Sequence, residues 1–254
     1  MFTPADRERI RSSILERARN DPRITGGALT GSASVGREDT WSDIDLAFGV
    51  KTAADIAPTL ADFTAFMRKA HGVADTVDVF AGSWIYRVFL LENTLQVDLA
   101  FAPAGDFGAR APTFRLVFGD AANIPHVPLP SAAGLIGYAW LYALHVRSSL
   151  ARGKLWQAVY MVDQMREQVI ALACLRHGEN PREGRGVDSL PGDFRRRLEP
   201  GLVRALDAAD IGRAFVAVTE LALDEARHAD ASLAGRIEPV MISLTKGWGG
   251  TRRD

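Results

Sequence analysis

The stretch GSASVGREDTWSDIDLAFGV, residues 31–50, places two carboxylates, Asp43 and Asp45, one residue apart in front of an apolar run. In an extended strand successive side chains point to opposite faces, so these two carboxylates share one face, and Ile44 and Leu46 share the other. Like charges held this close repel each other unless a cation lies between them. A divalent metal ion with oxygen ligands fits that position. The stretch therefore predicts a strand that carries part of a metal site.

A third carboxylate occurs in the later stretch LQVDLAF, where Asp98 lies among apolar neighbours. A charge in the middle of such a strand is costly unless it is compensated, so Asp98 is the candidate for a third metal ligand. We expect its strand to pair beside the strand of Asp43 and Asp45. In the structural alternative, Asp43 caps a helix and Asp45 is a surface residue.

A glycine and a serine precede these carboxylates where one strand ends and a helix begins. Gly31 and Ser32 occupy this turn, and Gly36 follows in the same loop. Exposed backbone N–H groups and a hydroxyl at such a place can hold a phosphate. A lone Gly-Ser pair is a weak signal, but here it stands at a short distance from the paired carboxylates.

Taken together, these motifs resemble a known group of enzymes. Gly31-Ser32, the run WSDIDL with Asp43 and Asp45, and the later strand residue Asp98 resemble the DNA polymerase β-like nucleotidyltransferase superfamily. Within it, the bacterial aminoglycoside and lincosamide nucleotidyltransferases are the most similar. The resemblance is specific over residues 26–50 and extends to Asp98. It implies magnesium-dependent transfer of a nucleotidyl group from ATP or another nucleoside triphosphate to a hydroxyl of a small molecule. The expected nucleotidyl group is AMP. An aminoglycoside-like antibiotic is one such acceptor, and pyrophosphate is released.

The resemblance also implies a role for each motif residue. Gly31 and Ser32 would hold the β and γ phosphates, and Asp43 and Asp45 would ligate two magnesium ions that bridge the triphosphate and the acceptor oxygen. Asp98 would take the third catalytic position beside the acceptor hydroxyl and remove its proton. A two-metal site stabilises both the attacking and the leaving oxygen of an in-line displacement.

The length and pattern of the chain predict an α+β protein of two domains. With 254 residues, one or two domains are expected. The pattern of residues 1–125 predicts a helix at 4–20 and then a mixed sheet with helices. By the resemblance, this half is the palm-like nucleotidyltransferase domain. The stretch RLVFGDAANIPHVPLPS is interpreted as a connector. Residues 126–254 predict a helical domain, with helices at about 131–151, 154–177, 190–208, 210–229 and 232–246. We find no internal repeat.

The charge and cysteine content exclude several classes of partner. There are 30 Lys and Arg against 31 Asp and Glu, which gives a net charge of −1 and no global basic field for nucleic acid or an anionic membrane. The single cysteine, Cys174, rules out an internal disulfide and fits a reducing compartment. No signal peptide or long apolar window is apparent. We therefore expect a cytoplasmic protein with small-molecule substrates.

The longest predicted helix of the second half offers a candidate acceptor site. On a helical wheel, a core stripe lies opposite a face made of Trp156, Tyr160, Asp163 and Glu167. Two rings and two carboxylates suit a hydroxylated or cationic acceptor, and Asp163 or Glu167 is a second candidate for the general base. The alternative is an ordinary solvated face with Arg166 available for pairing.

Other polar residues are weaker candidates. The run FRRRLEP at residues 194–200 could grip a phosphate but is more typical of a solvated helix face. Lys154, Arg147 and Lys246 could each approach the triphosphate, and the sequence does not choose among them. The histidines have no metal-ligand spacing and are interpreted as structural or surface residues: His71, His126, His145, His177 and His228.

Two further functions remain open from the sequence. One is nucleotidylation of a protein partner, as in antitoxins of the same superfamily, although those resemble the first half of this chain alone. The other is a catalytically silent nucleotide-binding regulator. The three retained carboxylates argue against a regulator, because a sensor has no need of them.

Overall fold

The protein has an α+β fold, as the sequence predicts. The computed structural model describes residues 1–248. The chain divides into two compact units, the first from Met1 to Val127 and the second beginning at Pro128.

The first unit is a six-stranded mixed sheet with helices. Its elements are α1 (Pro4–Arg19), β1 (Ile24–Thr30), the single turn α2 (Gly31–Ser34), β2 (Ile44–Val50), α3 (Ala53–His71), β3 (Val73–Ala81), β4 (Trp84–Leu91), β5 (Gln96–Pro103) and β6 (Phe114–Gly119). The strand order is β3-β4-β5-β2-β1-β6. β2 and β5 pair in parallel, and the other neighbours pair antiparallel. The two strands that carry the predicted carboxylates are therefore central neighbours.

The predicted first helix is present and begins with a capping box. The Thr3 hydroxyl accepts from the backbone N–H of Asp6 at 3.1 Å, and the Asp6 carboxylate accepts from the Thr3 backbone N–H at 3.0 Å. Pro4 occupies the first turn, where no hydrogen bond is lost. Ile10 and Ile14 are buried in the core between the helices and the sheet.

Three phenylalanine rings hold α3 against the central strands. The ring centroid of Phe63 on α3 lies 5.6 Å from that of Phe48 on β2 and 5.3 Å from that of Phe101 on β5. All three side chains are fully buried. Rings at this distance contribute stabilisation beyond the area they bury.

One strand of the sheet was not expected from the sequence. β6 lies within the stretch that was interpreted as a connector, where it pairs with β1 as an edge strand. The connector prediction is wrong here because the prolines of that stretch begin only at Pro125, which leaves Phe114–Gly119 free to donate hydrogen bonds to a neighbouring strand.

The second unit is helical among its described residues. Its helices are α4 (Ala132–Ala151), α5 (Leu155–His177), α6 (Gly192–Leu198), α7 (Ala208–Ala229) and α8 (Ala231–Leu244), with 3-10 turns at Val187–Ser189 and Glu199–Gly201. The predicted core stripe of α5 is confirmed, since Ala158, Val162, Met165 and Val169 are fully buried. They pack in one cluster with Phe215 of α7.

The predicted helix at 190–208 is wrong over its second half. α6 ends at Leu198, because Pro200 cannot donate a backbone hydrogen bond and hinders continuation of the helix. Beyond it, the Asp210 carboxylate accepts from the backbone N–H groups of Arg204 and Ala205 at 2.5 and 2.9 Å. These two bonds satisfy groups that a helix would otherwise pair internally.

None of the helices described between residues 1 and 248 combines the length and the apolar character that a membrane span requires.

Candidate active site

The three predicted carboxylates meet on one face of the sheet. β2 and β5 are aligned so that Asp45 lies directly opposite Asp98. Asp43 immediately precedes β2 rather than lying within it. A carboxylate oxygen from each of the three residues lies within 4.8 Å of the others, and all three residues are half-buried. No histidine or cysteine joins this cluster among the described residues.

The donor set of this cluster fits magnesium. Hard divalent cations take oxygen ligands, and carboxylates with this spacing can share one or two ions. Three negative charges this close together repel strongly where solvent access is reduced, so a cation between them is electrostatically favoured. The amide Nε2 of Gln96 donates to Asp98 Oδ1 at 2.9 Å and orients that carboxylate.

A shared run of residues explains the alignment of the two strands. Asp45-Leu46-Ala47-Phe48 on β2 and Asp98-Leu99-Ala100-Phe101 on β5 have the same sequence, DLAF, and the parallel register pairs each residue with its equivalent. This four-residue identity is too short to be an internal repeat, and it was not used in the predictions. It was the available signal that both strands bury the same faces.

The glycine of the predicted phosphate turn contacts the carboxylate cluster itself. Gly31 has φ of +57°, and a Cβ placed on it would lie 2.0 Å from Asp45 Oδ2. A side chain here would therefore meet both an unfavourable backbone conformation and the carboxylate. Ser32 follows in α2, and its carbonyl accepts from the backbone N–H of Arg37 at 3.0 Å. The turn predicted to hold phosphates thus lies against Asp45.

A buried arginine that the sequence analysis missed organises the loop before Asp43. Arg7 of α1 is only 6% exposed, and its NH1 donates to the carbonyls of Asp39 and Ser42 at 2.6 and 3.0 Å. Its Nε lies 3.3 Å from Glu38 Oε1 as an ion pair without hydrogen-bond geometry. Because Ser42 directly precedes Asp43, Arg7 fixes the backbone that presents the Asp43 carboxylate.

Further hydrogen bonds rigidify the same loop. The backbone N–H of Trp41 and the hydroxyl of Ser42 donate to Asp39 Oδ1 at 2.9 and 3.0 Å, and they lower the pKa of Asp39. Arg11 of α1 donates to Glu38 at 2.6 Å. The sequence signal for these contacts was available, because Arg7 falls on the same helix face as the buried Ile10 and Ile14.

A small cavity adjoins the carboxylates on the same face of the sheet. Its volume is about 230 Å³, and both Asp45 and Asp98 line it. Its other lining residues are Thr30, Leu46, Ala47, Trp84, Tyr86, Ala100, Gly108, Arg110, Ala111, Thr113 and Phe114. None of the aromatic residues or the arginine in this set was predicted as a site residue.

The candidate acceptor residues share an exposed face of α5 in the second unit. Trp156 and Tyr160 are 77% and 59% exposed. Asp163 accepts from Arg166 NH1 at 2.7 Å, which is the pairing that the solvated-face alternative expected. Glu167 is exposed and has a 3.5 Å contact with Gln164. The rings are available to a ligand, whereas the Asp163 carboxylate already has a cationic partner.

The arginine run of the second unit forms part of an open surface groove. Arg195 and Arg196 line this groove with Arg166, and Arg197 pairs with Asp224. The apolar residues of the groove are Ile170, Val187, Leu198 and Leu202. Nothing in this arrangement distinguishes a phosphate site from a solvated helix face.

Comparison with known proteins gives a distant structural likeness only. No protein-family model matches the sequence, and no curated protein matches it. One solved structure that this chain matches is the crystal structure of an aminoglycoside 6-adenyltransferase from Bacillus subtilis. It is 13% identical, with 92% of this chain and 96% of that chain covered, at a TM-score of 0.38. A likeness this distant shows nothing about the activity of this chain.

Proposed function

We propose that this protein transfers a nucleotidyl group from a nucleoside triphosphate to a hydroxyl of a small molecule, with release of pyrophosphate. The nucleotidyl group proposed is AMP. The observation that carries the proposal is the convergence of Asp43, Asp45 and Asp98 within 4.8 Å on the central strands, with the Gly31 turn against Asp45. A site that only bound nucleotide would not require three converging carboxylates.

In this proposal each part of the site has one task. The three carboxylates would hold magnesium, which when bound stabilises the charge on the attacking and leaving oxygens. Gly31 and Ser32 would hold the β and γ phosphates through the backbone of the turn. Asp98, oriented by Gln96, is the residue proposed to accept the proton of the acceptor hydroxyl.

The acceptor is proposed to be a compact hydroxylated molecule that carries an amine, such as an aminoglycoside. The exposed rings of Trp156 and Tyr160 support this proposal, because ring faces stack on sugars and cations. Glu167 adds an exposed carboxylate on the same helix. The proposed acceptor-binding surface consists of residues of α5 only.

The experiment measures pyrophosphate release from ATP and magnesium across a panel of hydroxylated small molecules, aminoglycosides included. We expect an active acceptor in the panel, and we expect Asp45→Asn and Asp98→Asn each to lower kcat by at least about 100-fold, since a lost metal ligand removes several kcal/mol of transition-state stabilisation. Asp106→Asn, which removes an exposed carboxylate of the same unit, is the matched control. Magnesium-dependent turnover that survives in the folded Asp45→Asn and Asp98→Asn variants would refute the proposal.

The same assay tests the acceptor face. Trp156→Ala and Glu167→Ala should raise KM for the acceptor several-fold while leaving KM for ATP unchanged, and Gln157→Ala on the same helix should change neither. If both variants use the acceptor as the wild type does, this face of α5 is an ordinary solvated surface.

A further inference from the structure

The sheet face that carries the carboxylates consists of three successive rows of residues. Alternate residues of a strand share a face, so Asp45, Ala47 and Gly49 on β2 lie beside Asp98, Ala100 and Ala102 on β5. The first row is acidic. The second row continues across the sheet from Tyr86 on β4 through the two alanines to Ala28 on β1. The third row consists of small residues.

Phe107 packs on the third row, and the second row lines the cavity beside the carboxylates. Phe107, from the segment that follows β5, packs so closely on the third row that a Cβ added to Gly26 or Gly49 would lie 2.8 Å from its ring atoms. The alanines of the second row are buried too, in a cluster with Trp84, Tyr86 and Phe114. The 230 Å³ cavity is the space that remains above Ala47 and Ala100, and it opens on the acidic row.

The walls of this cavity are aromatic and are held in place. The rings of Trp84 and Tyr86 stack with centroids 5.9 Å apart and an interplanar angle of 21°. The Arg110 guanidinium lies 5.5 Å from the Trp84 ring centroid, and its NH1 donates to the Ala81 carbonyl at 3.1 Å and the Tyr86 hydroxyl at 3.3 Å. Phe114 closes another side. Fixed rings with one fixed cation favour a flat apolar group that carries a hydrogen-bond acceptor.

The size of the cavity limits what it can hold. Whole small-molecule sites measure roughly 300–1,000 Å³. At about 230 Å³, this cavity is smaller than that range. One ring with a small substituent fits this space, whereas a complete nucleotide or a complete aminoglycoside does not.

We propose that this cavity is a subsite for one planar ring with a hydrogen-bond acceptor on its edge, belonging to the substrate whose reacting group lies at Asp45 and Asp98. Only the identity of that reacting substrate rests on the proposed function. Two sources share this chemistry: the base of the nucleoside triphosphate and a ring of the acceptor.

The test uses a matched pair of probes on the full-length protein. Benzamide and cyclohexanecarboxamide carry the same carboxamide on a planar and a puckered ring, and their binding is measured by NMR titration. We expect benzamide to bind at least tenfold more tightly. Thr113→Phe, which fills the cavity from its rim, should weaken benzamide binding at least tenfold, and Ala111→Trp provides a second filling variant at an exposed position. Leu116→Phe, which places a phenylalanine outside the cavity, should bind benzamide as the wild type does.

Competition then distinguishes the two sources. If ATP displaces benzamide and inorganic tripolyphosphate does not, the ring is the nucleobase; if benzamide binds with ATP saturating, the ring belongs to the acceptor. Equal binding of the two carboxamides, or benzamide binding that is unchanged in both folded filling variants, would overturn the subsite. Benzamide binding needs neither metal nor turnover. The binding measurement therefore tests the subsite even if the protein proves to have no nucleotidyl transfer activity.

Discussion

At the scale of single residues, Gly31 links the predicted phosphate turn to the candidate metal ligands. Its positive φ alone would favour glycine, but the 2.0 Å approach of its Cβ position to Asp45 Oδ2 adds a second requirement. Any side chain at Gly31 must displace the Asp45 carboxylate or the turn. Loss of phosphate binding in a Gly31 variant would therefore not by itself locate the phosphates.

A pair of glycine variants separates these two requirements. Gly36 also has a positive φ, of +67°, but no atom lies within 4 Å of its Cβ position. Gly36→Ala should cost about 1–2 kcal/mol of unfolding free energy from backbone strain and leave metal affinity unchanged. Gly31→Ala should cost more and also weaken binding of Mg²⁺ or Mn²⁺. Urea unfolding and calorimetric metal titration measure the two effects; wild-type metal affinity in Gly31→Ala would show that Asp45 does not depend on this contact.

The identities of the candidate metal ligands could be predicted from the sequence, whereas the contact of Gly31 with Asp45 could not. Two aspartates one residue apart and a third in a later apolar strand indicate convergence through strand alternation alone. The contact between Gly31 and Asp45 depends on where a carboxylate oxygen lies after two strands have paired. No local pattern encodes that distance.

At the scale of elements, α1 controls the loop that presents Asp43. Arg7 provides donors to two loop carbonyls, and Arg11 holds Glu38 of the same loop. The helix lies outside the carboxylate cluster, so its influence on the site acts through backbone position. Arg7 is accordingly a positioning residue rather than a catalytic one.

Removing the buried guanidinium should loosen this loop. We expect Arg7→Met to lower the unfolding free energy by about 1–3 kcal/mol, because the carbonyls of Asp39 and Ser42 lose their donor, and to weaken metal binding through Asp43. Arg7→Lys should recover part of both losses. Arg9→Met, which removes an exposed arginine of the same helix that pairs with Asp6, is the control. If a variant at Arg7 is destabilised but binds metal with wild-type affinity, the contacts of Arg7 with the loop do not determine the position of Asp43.

Elements were predicted well where a periodic pattern was long and poorly where tertiary contacts decide. α1, α5 and the central strands follow from their apolar spacing and capping residues. α6 ends early because Pro200 interrupts it. The Asp210 carboxylate then accepts hydrogen bonds from the backbone N–H groups of Arg204 and Ala205. β6 exists because an unpaired edge of β1 was available to it, and a single sequence gives no direct sign of such an edge.

At the scale of the whole molecule, each unit has its own apolar core. Phe101 is fully buried in the cluster of the first unit and Phe215 in that of the second. The α+β class follows from the change of pattern along the chain. That the two units fold independently of each other is a prediction.

Calorimetry on two core variants tests that independence. Phe101→Ala and Phe215→Ala should each destabilise their own unit by about 3–5 kcal/mol, because a buried ring is replaced by a cavity. We expect each variant to shift one thermal transition and leave the other in place. A single transition shifted equally by both variants would show that the two units unfold together.

The parallel pairing of β2 with β5 also has a consequence for the order of folding. The β1–β2, β3–β4 and β4–β5 pairs join strands that are consecutive in the chain, whereas β2–β5 pairing must close a loop that contains α3 and two further strands. Closing such a loop costs chain entropy before any contact forms, so local hairpins are favoured as early structures. Asp45 and Asp98 would then approach each other only at this late closure, and their repulsion would not oppose the earlier steps. On this view a bound divalent ion acts chiefly on the rate of unfolding, because it connects β2 with β5, which, like β1 and β6, are neighbours in the sheet but far apart in the chain.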